Sequence, residues 1–242
     1  MKKVLRFMCV FFIFFVITAC GVNTNQIRRM QSLEEGVDSP TTIEELTTAI
    51  GKFQKRAEDL INTDIRLGTW YKIVGTRYLD NRMYGKALEN FRMAIDYYPT
   101  NQNLFYYVGV CAGYMAKASL DFDAKGNELE SKRYYALAES AYKRAIEIEP
   151  RYERALYGLS ILYVFEFDTP AKAIPYLELI MDIEKRNLDA MFVLARAYYS
   201  TGNYEGSVAL YDRIIETTKD KNRKAEAESN KSTVLALMYG PN

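Results

Sequence analysis

The sequence of 242 residues contains no histidine. Histidine is the commonest general base near neutral pH and the commonest zinc and copper ligand. Its absence argues against triad hydrolases and most metal enzymes. The three cysteines, Cys9, Cys20 and Cys111, form no CxxC pair, so neither a thioredoxin-like redox motif nor a four-thiolate zinc site can be drawn.

The chain also lacks an excess of charge of either sign. Its 32 Lys and Arg residues balance 31 Asp and Glu residues, so no net field attracts nucleic acid. What it contains is 49% hydrophobic residues and an aromatic content of 14%, mostly its 20 tyrosines. This composition is typical of a folded protein. We expect no nucleic-acid partner, no cofactor, no metal site and no enzymatic activity.

Residues 1–19 have the pattern of a signal peptide. Lys2, Lys3 and Arg6 precede an uninterrupted apolar run at residues 7–16. That run is too short to cross a hydrocarbon core, which takes roughly 20 apolar residues. A transmembrane helix is therefore the weaker interpretation.

The next feature is a cysteine that directly follows this segment. The residues Ile17-Thr18-Ala19-Cys20 resemble the lipobox of bacterial lipoproteins. The resemblance implies cleavage before Cys20, acylation of its thiol, and a body in the periplasm tethered to the cell membrane or the outer membrane. Two or three acyl chains would anchor the protein stably. The alternative is a secreted protein with an incidental cysteine at its cleavage site.

Residues 20–40 are polar and are predicted to form a lipidated tether. Ile27, Met30 and Leu33 recur at helical spacing, which leaves docking of part of this segment on the body as an alternative. Beyond it, every long segment has helical periodicity and none alternates like a strand. The predicted fold class is therefore all-α.

A helix is predicted over residues 41–67, with Thr41 or Thr42 as its N-cap. An internal repeat follows it. The consensus W-x2-L-G-x2-Y, then A-x3-F, then P, is matched at Tyr71, Val74, Gly75, Tyr78, Ala87, Phe91, Ala94 and Pro99. These residues resemble the tetratricopeptide repeat, whose period is 34 residues.

Further copies follow in order. Gly109 lies 34 residues after Gly75 and opens the second copy, which carries an insertion at about residues 116–133. Gly158 is placed at the eighth position of the third copy. The fourth copy contains Leu194, Ala195, Tyr198, Gly202, Tyr204, Ser207 and Tyr211. Residues 68–221 thus resemble four repeats.

The resemblance implies a solenoid of helical hairpins, with capping helices at residues 41–67 and 222–242. Each hairpin leaves an apolar face that its neighbour covers, and a small eighth residue lets helices approach closely. It further implies a scaffold that binds another envelope protein or a peptide. The alternative function is an accessory ligand-binding subunit of a solute transport system.

In tetratricopeptide arrays, the first helix of each pair lines a binding groove. Carried over by position, the residues of that groove are Lys72, Tyr106, Tyr114, Tyr152, Tyr163, Phe192, Arg196 and Tyr199. Tyrosine offers a large contact area and a polar tip, which suits an extended or helical peptide. The alternative is that the insertion or the N-terminal helix fills this groove.

The insertion contains a partial match to a calcium-binding loop. Asp121, Asp123 and Gly126 stand at the first, third and sixth positions of such a loop. However, Lys125 and Lys132 occupy positions that require oxygen ligands. We therefore expect a turn between two lengthened helices.

Two other patterns have plainer explanations than catalysis. Glu166 and Asp168 form a carboxylate pair, but Asp168 or Thr169 before Pro170 is typical of a helix N-cap. Cys111 has no histidine to activate it, so we expect a buried, unreactive thiol.

Overall fold

The structure is a computed structural model that describes residues 42–121 and 128–240. Within those ranges the secondary structure is entirely helical, which confirms the predicted all-α class. The predicted signal peptide, Cys20, the tether and residues 122–127 of the calcium-like loop lie outside the described residues.

Nine α-helices and one short π-helix follow one another in the described residues. They are α1 (Ile43–Asp80), α2 (Tyr84–Tyr97), α3 (Gln102–Asp121), α4 (Glu128–Ile148), α5 (Glu153–Ile161), the π-helix (Leu162–Glu166), α6 (Pro170–Ile183), α7 (Leu188–Ser200), α8 (Tyr204–Thr217) and α9 (Lys221–Tyr239). From α2 to α9, each α-helix packs on the next one in the chain. None of the described helices has the length and apolarity that a membrane crossing requires.

The chain divides into two units, residues 1–64 and 65–242, and α1 has residues in both. In the first unit, Thr42 caps α1. The backbone N–H of Thr42 donates to Glu45 Oε2 at 3.0 Å, and the N–H of Glu45 donates to Thr42 Oγ1 at 3.2 Å. This reciprocal pair is a capping box, so the predicted N-cap is confirmed at Thr42.

The end of α1 differs from the prediction. The sequence suggests that a capping helix ends near residue 67, whereas α1 continues without a break to Asp80. No proline interrupts it, and Gly68 costs a helix only about 1 kcal/mol relative to alanine. The missing side chain has a use, because a Cβ on Gly68 would lie 2.6 Å from atoms of Tyr97 and Tyr98.

Small residues let the helices of the second unit approach closely, as predicted. A Cβ on Gly75 would lie 2.9 Å from the ring of Phe91, in the next helix. A Cβ on Gly109 would lie 2.6 Å from the ring of Tyr142. Each large ring therefore occupies the space that a side chain on the facing helix would need.

The second hairpin is lengthened, as predicted. Its helices α3 and α4 have 20 and 21 residues, whereas α2 has 14. The turn that joins α3 and α4 lies at residues 122–127, outside the described residues.

The third repeat has a different register from the predicted one. In α7, the buried residues at the consensus spacing are Met191, Leu194 and Ala195. Thirty-five residues earlier, α5 buries Leu156, Leu159 and Ser160 in the same pattern. Ser160 therefore takes the eighth position, and the placement of Gly158 there is wrong.

One extra residue explains the shift. Ser160 precedes Ala173 by 13 residues, whereas Ala195 precedes the equivalent Ser207 by 12. The π-helix Leu162–Glu166 holds the extra residue, since a π turn is wider than an α turn by one residue.

Candidate functional site

A cavity of about 300 Å³ lies between α3 and α5. Its walls include Tyr106, Val110 and Tyr114 from α3 and Arg154, Tyr157 and Ile161 from α5. Intervals of three and four residues place each set on one face of its helix. Tyr142 of α4 forms part of the floor. We call this surface the α3–α5 groove.

Tyr106 is the aromatic centre of one wall. The guanidinium carbon of Arg154 lies 5.0 Å from the centroid of its ring. Tyr152 meets the same ring edge-on at 5.9 Å, and its hydroxyl donates to Asn103 Oδ1 at 2.8 Å. Burial raises the pKa of Tyr106, so its hydroxyl is a neutral donor at physiological pH.

The far end of the cavity holds a neutralised charge pair. Lys117 Nζ lies 3.0 Å from Glu166 Oε1, and the hydroxyl of Tyr135 donates to Glu166 Oε2 at 2.5 Å. Burial, and then the hydrogen bond to Glu166, raise the pKa of Tyr135. Among the described residues, no carboxylate lies within ion-pair distance of Arg154. The cavity therefore carries one uncompensated positive charge.

Glu166 and Asp168 do not form a catalytic pair in this arrangement. The side chain of Glu166 is engaged by Lys117 and Tyr135, while Asp168 is exposed in a left-handed conformation with φ of 48°. Pro170 opens α6, as predicted. Thr169 stands at the N-cap position, but its side chain makes no capping hydrogen bond.

The predicted groove residues of the third repeat need correction. Tyr163 is only 3% exposed, and its hydroxyl donates to Glu139 Oε1 at 2.9 Å. It belongs to the core because the shifted register places it with the buried consensus residues. The same shift brings Arg154 and Tyr157 into the groove, and both were missed because the sequence aligns Gly158 with the eighth position.

The remaining predicted residues lie elsewhere. Phe192 contacts Tyr211 edge-on at 6.3 Å, and Tyr199 is tilted against Tyr204 at 6.1 Å. Arg196 is exposed on α7. Lys72 is half-buried on α1 and does not line the cavity. Of the predicted residues, the structure places Tyr106 and Tyr114 in the cavity wall and Tyr152 beside it.

Electrostatic contact extends the groove towards α7. Burial raises the pKa of Tyr157, and the carboxylate of Asp189 on α7 is the next cause. Asp189 is itself paired with Arg223 of α9 at 2.9 Å. The uncompensated charge thus remains on the side of the groove that Arg154 forms.

Two chemical candidates from the sequence can be placed. Cys111 is fully buried, and burial raises the pKa of its thiol to about 12. This confirms the expected unreactive thiol. Across residues 42–121 and 128–240, no three His, Cys, Asp or Glu side chains group as a metal site would require.

Comparisons with known proteins agree with this architecture. Residues 164–227 and 123–152 match family models of the tetratricopeptide repeat. A protein of Borreliella burgdorferi strain B31, described as a TPR repeat-containing protein, is 24% identical over 211 residues, which are 87% of this chain and 86% of that protein.

Solved structures show the same fold at low identity. YrrB, described as a TPR protein with an unusual peptide-binding site, matches with a TM-score of 0.57 and 15% identity over 71% of this chain and 78% of its own. A thermophilic TPR protein of Thermus thermophilus matches with a TM-score of 0.53 and 16% identity over 78% of this chain and 92% of its own. MamA gives a TM-score of 0.51 and 18% identity over 81% of this chain and 99% of its own.

Proposed function

The chain is a tetratricopeptide-repeat protein, and we propose that it is a scaffold that binds a segment of a partner protein in the α3–α5 groove. The observation that carries this proposal is the cavity of about 300 Å³ with tyrosine walls and one uncompensated arginine. That volume is at the lower end for ligand sites and suits one or two side chains. Tyrosine and arginine are also the residue types that dominate binding energy at interfaces.

The groove favours a particular kind of segment. An apolar or aromatic side chain would fit between Tyr106 and Tyr157, where ring faces are available on two helices. A carboxylate next to it would pair with Arg154, whose charge no described carboxylate compensates. The proposed ligand is therefore a peptide segment with an acidic residue beside an apolar one.

The groove can be tested with two variants and a matched control. A partner recovered by crosslinking from native envelopes is titrated against the chain. Tyr157→Ala and Arg154→Gln should each weaken binding by roughly tenfold or more, since truncation of hot-spot residues costs over 1 kcal/mol. Arg151→Gln, an exposed residue just before α5, should leave binding unchanged. Equal affinities for all three variants would contradict the proposal.

We also propose that the protein acts in the bacterial envelope, held to a membrane by lipid on Cys20. The support is the sequence pattern alone, since residues 1–41 lie outside the described structure. Cys20→Ser should abolish both acyl labelling and cleavage of the leader, while Cys111→Ser leaves them intact. Normal processing of Cys20→Ser would sink this part of the proposal.

The scaffold is proposed to act without catalysis. Tetratricopeptide proteins are generally non-catalytic, and the carboxylate of Glu166 is engaged by structural partners. The alternative of a solute-binding transport subunit has no observation in its favour and is not proposed.

A further inference from the structure

The first part of α1 carries an apolar stripe. Its members recur at alternating intervals of three and four residues: Ile43, Leu46, Ile50, Phe53, Ala57 and Leu60. Ile43 is 85% exposed, and Ile50 and Leu60 are each 56% exposed. Within the described residues of the first unit, nothing covers this stripe.

The spacing identifies the stripe as a face that packs on another helix. Alternating intervals of three and four are the heptad repeat, in which the first and fourth positions, a and d, face a neighbouring helix. The same register continues along α1 to Tyr71 and Tyr78 in the second unit. There, Tyr71 and Tyr78 pack on the cluster that contains Phe91.

The residue types at these positions point to a second copy of the same chain. Ile43 and Ile50 occupy a positions, whereas Leu46, Phe53 and Leu60 occupy d positions. β-branched residues at a with leucine at d favour a parallel pair of helices over larger bundles. Ala57, at the third a position, is small and is compatible with this pairing.

The flanking positions add a charge argument. The e and g positions, which face each other across a parallel pair, are Thr47, Gln54, Ile61, Ala49, Arg56 and Thr63. Arg56 is the single charged residue among them, and its guanidinium carbon lies 5.8 Å from the ring centroid of Phe53 in the same helix. Self-pairing therefore brings no like charges together, and no charge pattern selects a different chain.

We propose that residues 43–60 pair with the same residues of a second copy in a parallel, two-stranded coiled coil. A helix of 18 residues is about 27 Å long, so the contact is smaller than a standard interface of roughly 800 Å² per partner. The dimer is accordingly weak and depends on concentration. This association surface is separate from the α3–α5 groove and does not rest on the function proposed for it.

The test uses disulfide formation in the full chain with Cys9→Ser and Cys20→Ser, solubilised in detergent. The remaining native thiol, Cys111, is fully buried. Ile50→Cys, at an a position, should form a disulfide-linked dimer as the main product of mild oxidation. Lys55→Cys lies on the opposite face of the same helix and is the matched control, for which little dimer is expected.

Three outcomes would overturn the proposal. The first is equal dimer formation by Ile50→Cys and Lys55→Cys, which indicates random collision or association through the detergent. The second is no dimer with either variant. The third is an internal disulfide between Ile50→Cys and a second cysteine at Met30→Cys, which would show that the preceding segment of the same chain covers the stripe. Ile50→Cys dimers that vanish when Phe53→Glu is added would support the proposal further.

Discussion

A Cβ on Gly109 would lie 2.6 Å from the ring of Tyr142, so the ring of α4 rests directly on the backbone of α3. The same ring lies against Gly158 of α5, where a Cβ would be 2.7 Å away. Tyr142 thus joins the three helices that form the α3–α5 groove. The width of the groove depends on the absence of two side chains.

This contact predicts opposite effects for two glycines of one helix. Gly109→Ala should lower the free energy of unfolding by about 1–3 kcal/mol, because the added methyl overlaps a buried ring. At Gly113 a Cβ would meet nothing within 4 Å. Gly113→Ala should therefore raise stability by up to about 1 kcal/mol through helix propensity. Urea denaturation of both variants measures the difference, and similar effects at the two sites would refute the packing argument.

The hydrogen bond between Tyr135 and Glu166 should contribute to stability. Tyr135→Phe removes a donor to a partly buried carboxylate, and the expected loss is about 1–2 kcal/mol. Tyr239→Phe is the control, because Tyr239 is 75% exposed. Thermal denaturation of the two variants checks this expectation. A Tyr135→Phe variant as stable as the control would show that the hydroxyl is dispensable.

Stability should fall at alkaline pH. Burial, then its hydrogen bond to Glu178, raises the pKa of Tyr198 to about 12, whereas tyrosine in an unfolded chain titrates near 10. The folded state therefore holds the proton more tightly, and this stabilisation is complete below pH 10 and is lost as the pH rises through about 12. Denaturation curves between pH 8 and about 12 should show this decline. Tyr198→Phe should make the decline shallower, and an unchanged slope would count against the assignment.

Cys111 should resist thiol reagents while the protein is folded. Its pKa of about 12 leaves almost no thiolate near neutral pH, and the side chain is fully buried. In a chain with Cys9→Ser and Cys20→Ser, a chromogenic disulfide reagent should report no reactive thiol in buffer and one after denaturation. Rapid reaction in buffer would show that α3 opens locally.

Much of the second unit could be predicted from the sequence, because its repeats combine small and large residues at fixed intervals. Gly75 opposite Phe91 and Gly109 opposite Tyr142 follow directly from that spacing. The continuity of α1 could not be predicted in the same way. A single glycine at residue 68 costs too little to end a helix, yet the repeat boundary suggests a break there.

The α3–α5 groove was predicted only on its α3 side. Tyr106 and Tyr114 follow from the second repeat, whose register is regular. On α5, Gly158 offers a small residue two positions before Ser160, and the consensus does not distinguish between them. The extra residue in the π-helix decides the register, and no residue type marks it in the sequence.

The central claim is that the α3–α5 groove holds a partner, and site-specific photo-crosslinking in intact envelopes tests it most directly. A photoreactive phenylalanine analogue replaces Tyr114 at the edge of the cavity or, as a control, Tyr239 on α9. The proposal predicts one defined adduct from position 114, its loss when Arg154→Glu is added, and no such adduct from position 239. The same adduct from both positions, or an adduct from position 114 that survives Arg154→Glu, would contradict the account.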